Sequence, residues 1–169
     1  MSRVNLETIS AIAQIIAALG VVASLFYLAV QIRQNTRSQR SAVVDSLTNS
    51  LIALLGPQAT DPALMRSFAA AVEDWYGATG EDRLRAIAVL FAIFKLFENA
   101  WFQLRQGTLD REQWQGWDLY IHAYYHRPGV KAWWSLRRGM FAAGFHGYVE
   151  ATQPIAEAIP LTDLIRGKP

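Results

Sequence analysis

The sequence predicts an all-α protein, with a single N-terminal transmembrane helix that continues into a cytosolic bundle of about five further helices. The first observation is an uncharged run of 25 residues, 8–32, composed mostly of Ile, Val, Leu, Ala and Phe. At about 1.5 Å per residue, a helix of this length measures roughly 37 Å, which is enough to cross a hydrocarbon core of about 30 Å. The second observation is that no stretch alternates apolar and polar residues between hairpin turns, so strands are not expected.

Three arginines immediately after the apolar run predict its orientation. Arg33, Arg37 and Arg40 lie within about two helical turns of its end, whereas the short N-terminal side carries one arginine and one glutamate. By the positive-inside bias, the C-terminal domain then lies in the cytoplasm and the N-terminus outside. We therefore interpret residues 1–40 as an uncleaved membrane anchor. The alternative is a helix buried in the core of a soluble protein.

The charge balance favours lipid over nucleic acid as the partner of these arginines. Four of the 16 basic residues lie in residues 1–40, so residues 41–169 hold 12 Lys and Arg against 13 Asp and Glu. Because the excess positive charge is next to the span, we expect Arg33, Arg37 and Arg40 to contact anionic lipid head groups. Cysteine is absent, which excludes disulfides and thiolate metal sites.

The first three helices are predicted from their stop and start signals. Val43, Val44, Leu47, Leu51 and Leu54 continue a helical stripe beyond the arginines. A Gly-Pro pair then marks the end of the first helix, and an Asp-Pro pair marks the start of the second. Two later glycines mark the ends of the second and third helices. We expect helices from the span to residue 55 with a stop at Gly56-Pro57, from Asp61-Pro62 to about Tyr76, and from Thr79–Asp82 to Gly107.

The remaining elements are also helical. Asp110 is expected to cap a helix that presents Trp114, Trp117, Ile121 and Tyr124 at spacings of three and four and ends before residue 128. Two shorter helices are expected over residues 130–137 and 143–151. These elements complete a helical domain over residues 41–152. Three prolines in residues 153–169 predict an irregular tail.

Small side chains form a stripe within the predicted span. Ala13, Ala17, Gly20 and Ser24 follow one another at steps of four, three and four residues. Such stripes allow helix backbones to approach closely in lipid, so this one predicts a partner helix. The alternative is that the stripe reflects only the general abundance of small residues in membrane helices.

A polar cluster is expected on the longest cytosolic helix. Lys95, Glu98, Asn99 and Gln103 lie three or four residues apart among Phe and Trp. One interpretation is a buried polar site with a tuned Lys or Glu. The other is a structural network that fixes helix register, or the solvated side of an amphipathic helix.

Asp118, His122 and His126 share one face of the following helix at steps of four residues. Histidines at this spacing are able to hold a divalent metal, and the aspartate is able to ligate or orient them. The glutamate of the metalloprotease motif is missing between the two histidines, so a solvated polar face is favoured over a metal site.

Trp133 and Trp134 precede Arg137 and Arg138 by one helical turn, which places each tryptophan beside an arginine. This segment is predicted either to lie at a membrane surface or protein interface, or to contribute ordinary core packing.

Three parts of the sequence share a recognisable pattern: segment 28–37, segment 97–103 with Gly107, and Trp133-Trp134 followed by Phe145 and Tyr148-Val149. Together they resemble an uncharacterised group of small bacterial proteins with one N-terminal span and a helical cytosolic domain. The resemblance implies this architecture and a bacterial inner membrane, and it transfers no catalytic residue. Where the group has arginine this chain has Lys95, and the pair His122 and His126 is not part of the group's pattern.

Motifs of catalysis are missing from the sequence: there is no P-loop, dinucleotide-binding glycine motif or nucleophile elbow. We therefore predict no catalytic residue and no cofactor. The expected function is assembly in the membrane, as a homo-oligomer or as an accessory subunit of a larger complex. The alternative is a membrane-tethered domain that binds a ligand or a metal, with or without enzymatic activity. Its site would be built around Lys95, Glu98 and Asn99 or around Asp118, His122 and His126.

Overall fold

The computed structural model describes residues 2–155, with side chains from residue 6 onwards, and these residues are helical with no strand. The all-α prediction is confirmed for this part of the chain, which has five α-helices after the first, as expected. A short 3-10 helix, Arg138–Met140, lies between the last two α-helices. The α-helices are α1 (Ser2–Thr60), α2 (Pro62–Glu73), α3 (Gly80–Gln106), α4 (Arg111–Tyr125), α5 (Pro128–Arg137) and α6 (Ala143–Ala151).

The chain divides into two compact units, Met1–Ser41 and Ala42–Pro169. The first unit is helical, and every side chain described in it, from residue 6 to residue 41, is exposed. The second unit contains the buried residues. The predicted boundary between anchor and domain, at residue 40, lies next to this division.

The core of the second unit is largely aromatic. Phe94 of α3 lies at its centre, with its ring centroid 5.3 Å from Trp133 and 5.0 Å from Trp134 of α5. Phe97, one turn later on α3, packs edge-on against Tyr120 of α4 at 5.6 Å. All of these rings except Tyr120 are fully or nearly fully buried. Tilted and edge-on ring pairs of this kind stabilise a core beyond the area they bury.

The stripe predicted on the second half of α1 is confirmed, since Leu47 is buried and its stripe neighbours pack against the same core. The predicted stop at Gly56-Pro57 is wrong, because α1 continues through Pro57 to Thr60. Proline removes one backbone donor from this turn, and the side chains of Gln58 and Thr60 donate to the carbonyls of Leu54 and Gly56 in the same part of the helix. The helix stops where Asp61 turns extended and caps α2, accepting from the N–H groups of Ala63 and Leu64.

The predicted end of α2 near Tyr76 is also wrong, because the helix ends at Glu73. Asp74 adopts an extended conformation, and its side chain accepts a hydrogen bond from the N–H of Gly77 at 2.9 Å. This local turn competes with continued helix, as short polar side chains often do.

The predicted ends of α3 are confirmed. Thr79 and Asp82 form a reciprocal capping box at its start, and Gly107 ends it in the left-handed region at φ 73°. Asp110 caps α4 as expected, accepting from the N–H of Gln113 at 2.9 Å. Residues 153–155 have no regular structure, and the remainder of the predicted irregular tail lies outside the described residues.

Candidate functional site

The most unusual surface of the molecule is the exposed apolar first half of α1. Large apolar side chains point outward on all sides of the helix, with exposed fractions of 42 to 75%. Among the described residues, α1 and α3 are the two helices long and apolar enough to cross a membrane, a test that core helices and signal sequences also pass. The exposed apolar residues of α1 are Leu6, Ile9, Ile12, Ile15, Ile16, Leu19, Val21, Val22, Leu25, Phe26, Tyr27, Leu28, Val30 and Ile32.

The small-residue stripe lies on this exposed surface. Ala13, Ala17, Gly20 and Ser24 are all exposed, and a Cβ atom added to Gly20 would meet no atom within 4 Å. The Ser24 hydroxyl donates to the carbonyl of Gly20 at 2.9 Å, so it is satisfied within its own helix. The partner helix therefore stays a prediction, with the stripe open to receive it.

Arg33, Arg37 and Arg40 are exposed, and no ion pair joins them to a carboxylate in the described part of the chain. Their guanidinium groups are thus free to meet an external anion. The prediction that lipid head groups supply it stays a prediction.

The polar cluster on α3 is a structural clamp on the segment between the 3-10 helix and α6. Lys95 Nζ lies 2.7 Å from Glu98 Oε2 and donates to the carbonyl of Met140 at 2.9 Å. Glu98 Oε1 accepts from the N–H of Ala142 at 2.6 Å, at the start of α6. The Lys95 ammonium also lies 4.7 Å from the ring centre of Phe141. These contacts favour the structural interpretation of the cluster.

The other two members of the cluster do not join this clamp. Asn99 accepts from Gln103 at 3.3 Å, and Gln103 in turn accepts from the hydroxyl of Thr108 at 2.5 Å, just beyond the end of α3. The backbone partners on residues 140 and 142 are 45 and 44 residues away in sequence, so side-chain spacing alone did not reveal them.

The three residues considered as a metal site, against which a solvated polar face was favoured, do not come together as a group. His122 Nε2 lies 3.4 Å from Asp118 Oδ1, and that same oxygen accepts from the Tyr148 hydroxyl of α6. His126 instead contacts Thr152, with Nε2 lying 3.1 Å from its carbonyl and 3.0 Å from its hydroxyl. Within residues 2–155, no group of three or more His, Asp or Glu side chains is arranged to hold a metal ion.

The environment of His126 disfavours its charged form. Its Nδ1 is buried with no hydrogen-bond partner among the described atoms. Burial lowers the pKa of His126 below its usual value, and the positive charge of Lys131 lowers it further, against a smaller opposing effect of the Thr152 hydrogen bond. The neutral ring that donates from Nε2 fits these contacts, and it fastens the end of α6 to the end of α4.

Trp133 and Trp134 are core residues, which favours the core-packing alternative over the interface alternative that the sequence also left open. Their exposed fractions are 0 and 2%. Trp134 stacks on Phe141 at 4.9 Å, and its Nε1 donates to Glu150 at 3.1 Å. Their neighbours on α3 are apolar rings, which make burial of both indoles favourable.

The arginines that follow the tryptophans are also placed differently from the prediction. Arg138 donates to Glu150 at 3.1 Å, and Arg137 makes no ion pair with the described residues. The cation-π contacts of the structure lie elsewhere, as with Arg105 over Trp101 at 4.8 Å.

Two features of the second unit were not expected from the sequence. Arg127, the N-cap residue of α5, donates to Glu73 at the end of α2 at 2.5 Å, with exposed side-chain fractions of only 12 and 21%. Gly129 follows, and it lies so close to α2 that an added Cβ would fall 2.0 Å from the carbonyl oxygen of Ala71. The Pro128-Gly129 pair was the available signal, but it does not identify the helix that Gly129 approaches.

Comparison with known proteins adds no assignment to this geometry, because no family model, curated protein or solved structure matches the chain. The resemblance to a bacterial membrane-protein group thus stays a prediction.

Proposed function

We propose that this protein is a single-span protein of the bacterial inner membrane whose helical domain acts in assembly, as a homo-oligomer or as an accessory subunit of a larger membrane complex. In this proposal the first half of α1 crosses the bilayer. The N-terminus lies outside, and the second unit lies in the cytoplasm.

The observation that carries the proposal is the combination of apolar composition and complete exposure between residues 6 and 32. Removing one Leu or Ile side chain from water is worth about 1.5 to 3 kcal/mol. For a helix with this many such residues, transfer into lipid is favourable by an amount on the order of tens of kcal/mol. The helix also satisfies its own backbone hydrogen bonds, as a membrane span must.

The placement of α3 supports one span rather than two. Although α3 is long and apolar enough to cross a membrane, Phe94, Phe97 and Leu90 are completely buried in the aromatic core. Lys95 and Glu98 are also bound to backbone groups of the following elements. Moving α3 into lipid would disrupt both sets of contacts. The large apolar side chains in the first half of α1 are exposed, so moving this segment into lipid disrupts no core packing.

The absence of cysteine makes the topology directly testable. Single cysteines replace Glu7, before the span, and Gln115, exposed on α4. In intact spheroplasts, a membrane-impermeant maleimide should label Glu7→Cys, and should label Gln115→Cys only after lysis. Release of the full chain from membranes by alkaline carbonate, or labelling of both variants before lysis, would refute the proposed topology.

Assembly through the stripe has a matched pair of variants. Ala17→Leu places a large side chain on the stripe, whereas Ala18→Leu makes the same change one position away. In mild detergent, the wild type and Ala18→Leu should migrate as a defined oligomer or with a stoichiometric partner, and Ala17→Leu should lose it. A strictly monomeric, partner-free wild type contradicts the assembly role while leaving the topology intact.

The alternative of a ligand or metal site at the predicted polar residues has less support. Lys95 and Glu98 are engaged in the clamp on residues 140 and 142, and His126 binds Thr152 rather than joining Asp118 and His122. Metal analysis of purified wild type against a His122→Ala, His126→Ala double variant tests what remains of this alternative. Stoichiometric metal that disappears in the double variant would revive it.

A further inference from the structure

A groove on the second unit runs between α3 and the end of α5. Its volume is about 350 Å³, near the lower end of the range of small-molecule sites, which is about 300 to 1,000 Å³. The lining residues come from α3, α5 and the 3-10 helix. They are Ile87, Ala88, Phe91, Trp133, Arg137 and Met140.

The surroundings of the groove are apolar and exposed. Leu84, one turn before the α3 lining residues, is 70% exposed, and Leu136, beside Arg137, is 60% exposed. Met140, within the lining, is 53% exposed. Grouped large apolar side chains at a concave surface are typical of binding sites, whereas single exposed ones need no explanation.

Arg137 is the one charged residue in the lining of this groove. It is half-buried, yet no carboxylate of the described residues lies within ion-pair distance of it. By contrast, the more exposed Arg138 pairs with Glu150, and Arg85 pairs with Glu81. A guanidinium set in apolar walls without an anion is a strong recognition element for a carboxylate, which it binds through two parallel hydrogen bonds.

Trp133, which lines the groove, also carries a donor without an acceptor, although that atom is buried inside the core. Trp133 is completely buried, and its Nε1 has no hydrogen-bond partner among the described atoms, whereas the neighbouring indole of Trp134 donates to Glu150. Buried indole N–H groups usually find a partner. The lining of the groove therefore offers the Arg137 guanidinium and no acidic side chain, which is the charge pattern that suits an anion.

We propose that this groove binds a free medium-chain carboxylate, with its carboxylate on Arg137 and its alkyl chain along Ile87, Ala88 and Phe91. The occupant is amphiphilic because the site offers one cation at one position and apolar contact elsewhere. This binding site is independent of the proposed membrane anchor, since every residue of the groove belongs to the second unit.

The test uses the full chain in nanodiscs of zwitterionic lipid and equilibrium dialysis of radiolabelled octanoate at pH 7.5. Empty nanodiscs give the partition into lipid, which is subtracted. We expect one octanoate per chain. Unlabelled octanoate should displace the radiolabelled probe at a concentration at least about tenfold lower than the concentration of octanol that does so. A protein that takes up no more octanoate than empty nanodiscs overturns the proposal.

Two variants separate the contributions of charge and chain. Arg137→Gln should weaken octanoate binding by about tenfold or more and remove the preference over octanol. Ala88→Phe, a change at an exposed position of α3, should fill the groove and abolish binding of both probes. The matched control is Arg66→Gln, which removes the same charge from an exposed position of α2 outside the groove and should bind as wild type.

The remaining outcomes are equally decisive. Equal losses in Arg137→Gln and Arg66→Gln would mean that overall charge attracts octanoate, and the groove would not be its site. Binding that survives Ala88→Phe, or a wild type that covers the groove by self-association and excludes octanoate, would also refute the proposal. Near-ultraviolet circular dichroism of each variant confirms that the aromatic core is intact.

Discussion

Gly129→Ala should be among the most damaging single-methyl changes in this protein. Gly129 is buried at the start of α5, where its backbone faces the end of α2. An added Cβ would lie 2.0 Å from the carbonyl oxygen of Ala71 and 2.5 Å from that of Val72. Both neighbours are backbone atoms of a helix that packs on α3 and α5, so neither is able to rotate away as a side chain would.

The size of the effect follows from the displacement required. A carbon and a carbonyl oxygen approach to about 3.3 Å at closest, so α2 and α5 must separate by about 1.3 Å at this point. Overpacking in a tight core costs about 1 to 3 kcal/mol and occasionally more, and movement of backbone rather than side chain places this case at the upper end. We therefore expect a loss of about 3 kcal/mol, which corresponds to a fall in Tm of roughly 10 °C for a domain of this size.

The assay is thermal unfolding of the full chain in mild detergent, followed by near-ultraviolet circular dichroism of the buried tryptophans. Gly116→Ala is the matched control, because Gly116 is exposed in the middle of α4 and a Cβ there meets no atom within 4 Å. In a helix interior this change is stabilising by about 0.5 to 1 kcal/mol. A Gly129→Ala protein that melts within about 2 °C of wild type would refute the close approach of α2 and α5.

Three further predictions concern polar contacts of the second unit. The pKa of His126 is lowered in the folded state, so the contribution of this residue to stability should be complete above about pH 6.5 and should decline as the pH falls below that value. His126→Gln should flatten this part of the plot of unfolding free energy against pH. Glu73→Gln removes the negative charge that faces the largely buried Arg127 and should cost about 2 to 3 kcal/mol in thermal unfolding. The double change with Arg127→Met should recover part of this loss. Glu98→Gln weakens the acceptor for the N–H of Ala142, so the free energy of unfolding should fall by about 1 to 2 kcal/mol and hydrogen exchange at the start of α6 should become faster. Unchanged exchange there would contradict the clamp.

The helical elements of this protein were predictable because their signals are local. Thr79, Asp82 and Gly107 define α3 through short-range hydrogen bonds and one left-handed residue, and the structure contains all of them. Asp74 shows the limit of such signals: Gly77 predicts a helix end near residue 76, whereas the side chain of Asp74 forms a competing turn and α2 ends at Glu73. Boundaries set by such competing local bonds are decided by small energy differences.

The tertiary uses of side chains were much less predictable. Spacing placed Lys95 and Glu98 together correctly, but their partners are backbone groups some 45 residues away, which no periodicity reports. Trp133 and Trp134 illustrate the same limit: adjacent residues of a helix point about 100° apart, so their position in the sequence does not decide between core packing and an interface. The core accommodates both because α3 contacts one side of α5 and residues 141–145 approach another.

Two helices of similar apolarity therefore have opposite environments, and the difference lies in what contacts them. The large side chains of α3 are matched by rings of α4 and α5, as in the packing of Phe97 against Tyr120 and of Phe94 against Trp133. The first half of α1 has no comparable cover on any side, because each of its described side chains is exposed. A helix that already has partners within its own unit gains little from lipid, whereas a helix without them gains most from lipid or from another span. This asymmetry is the physical basis for proposing one membrane crossing and for seeking the assembly partner along Ala13, Ala17 and Gly20.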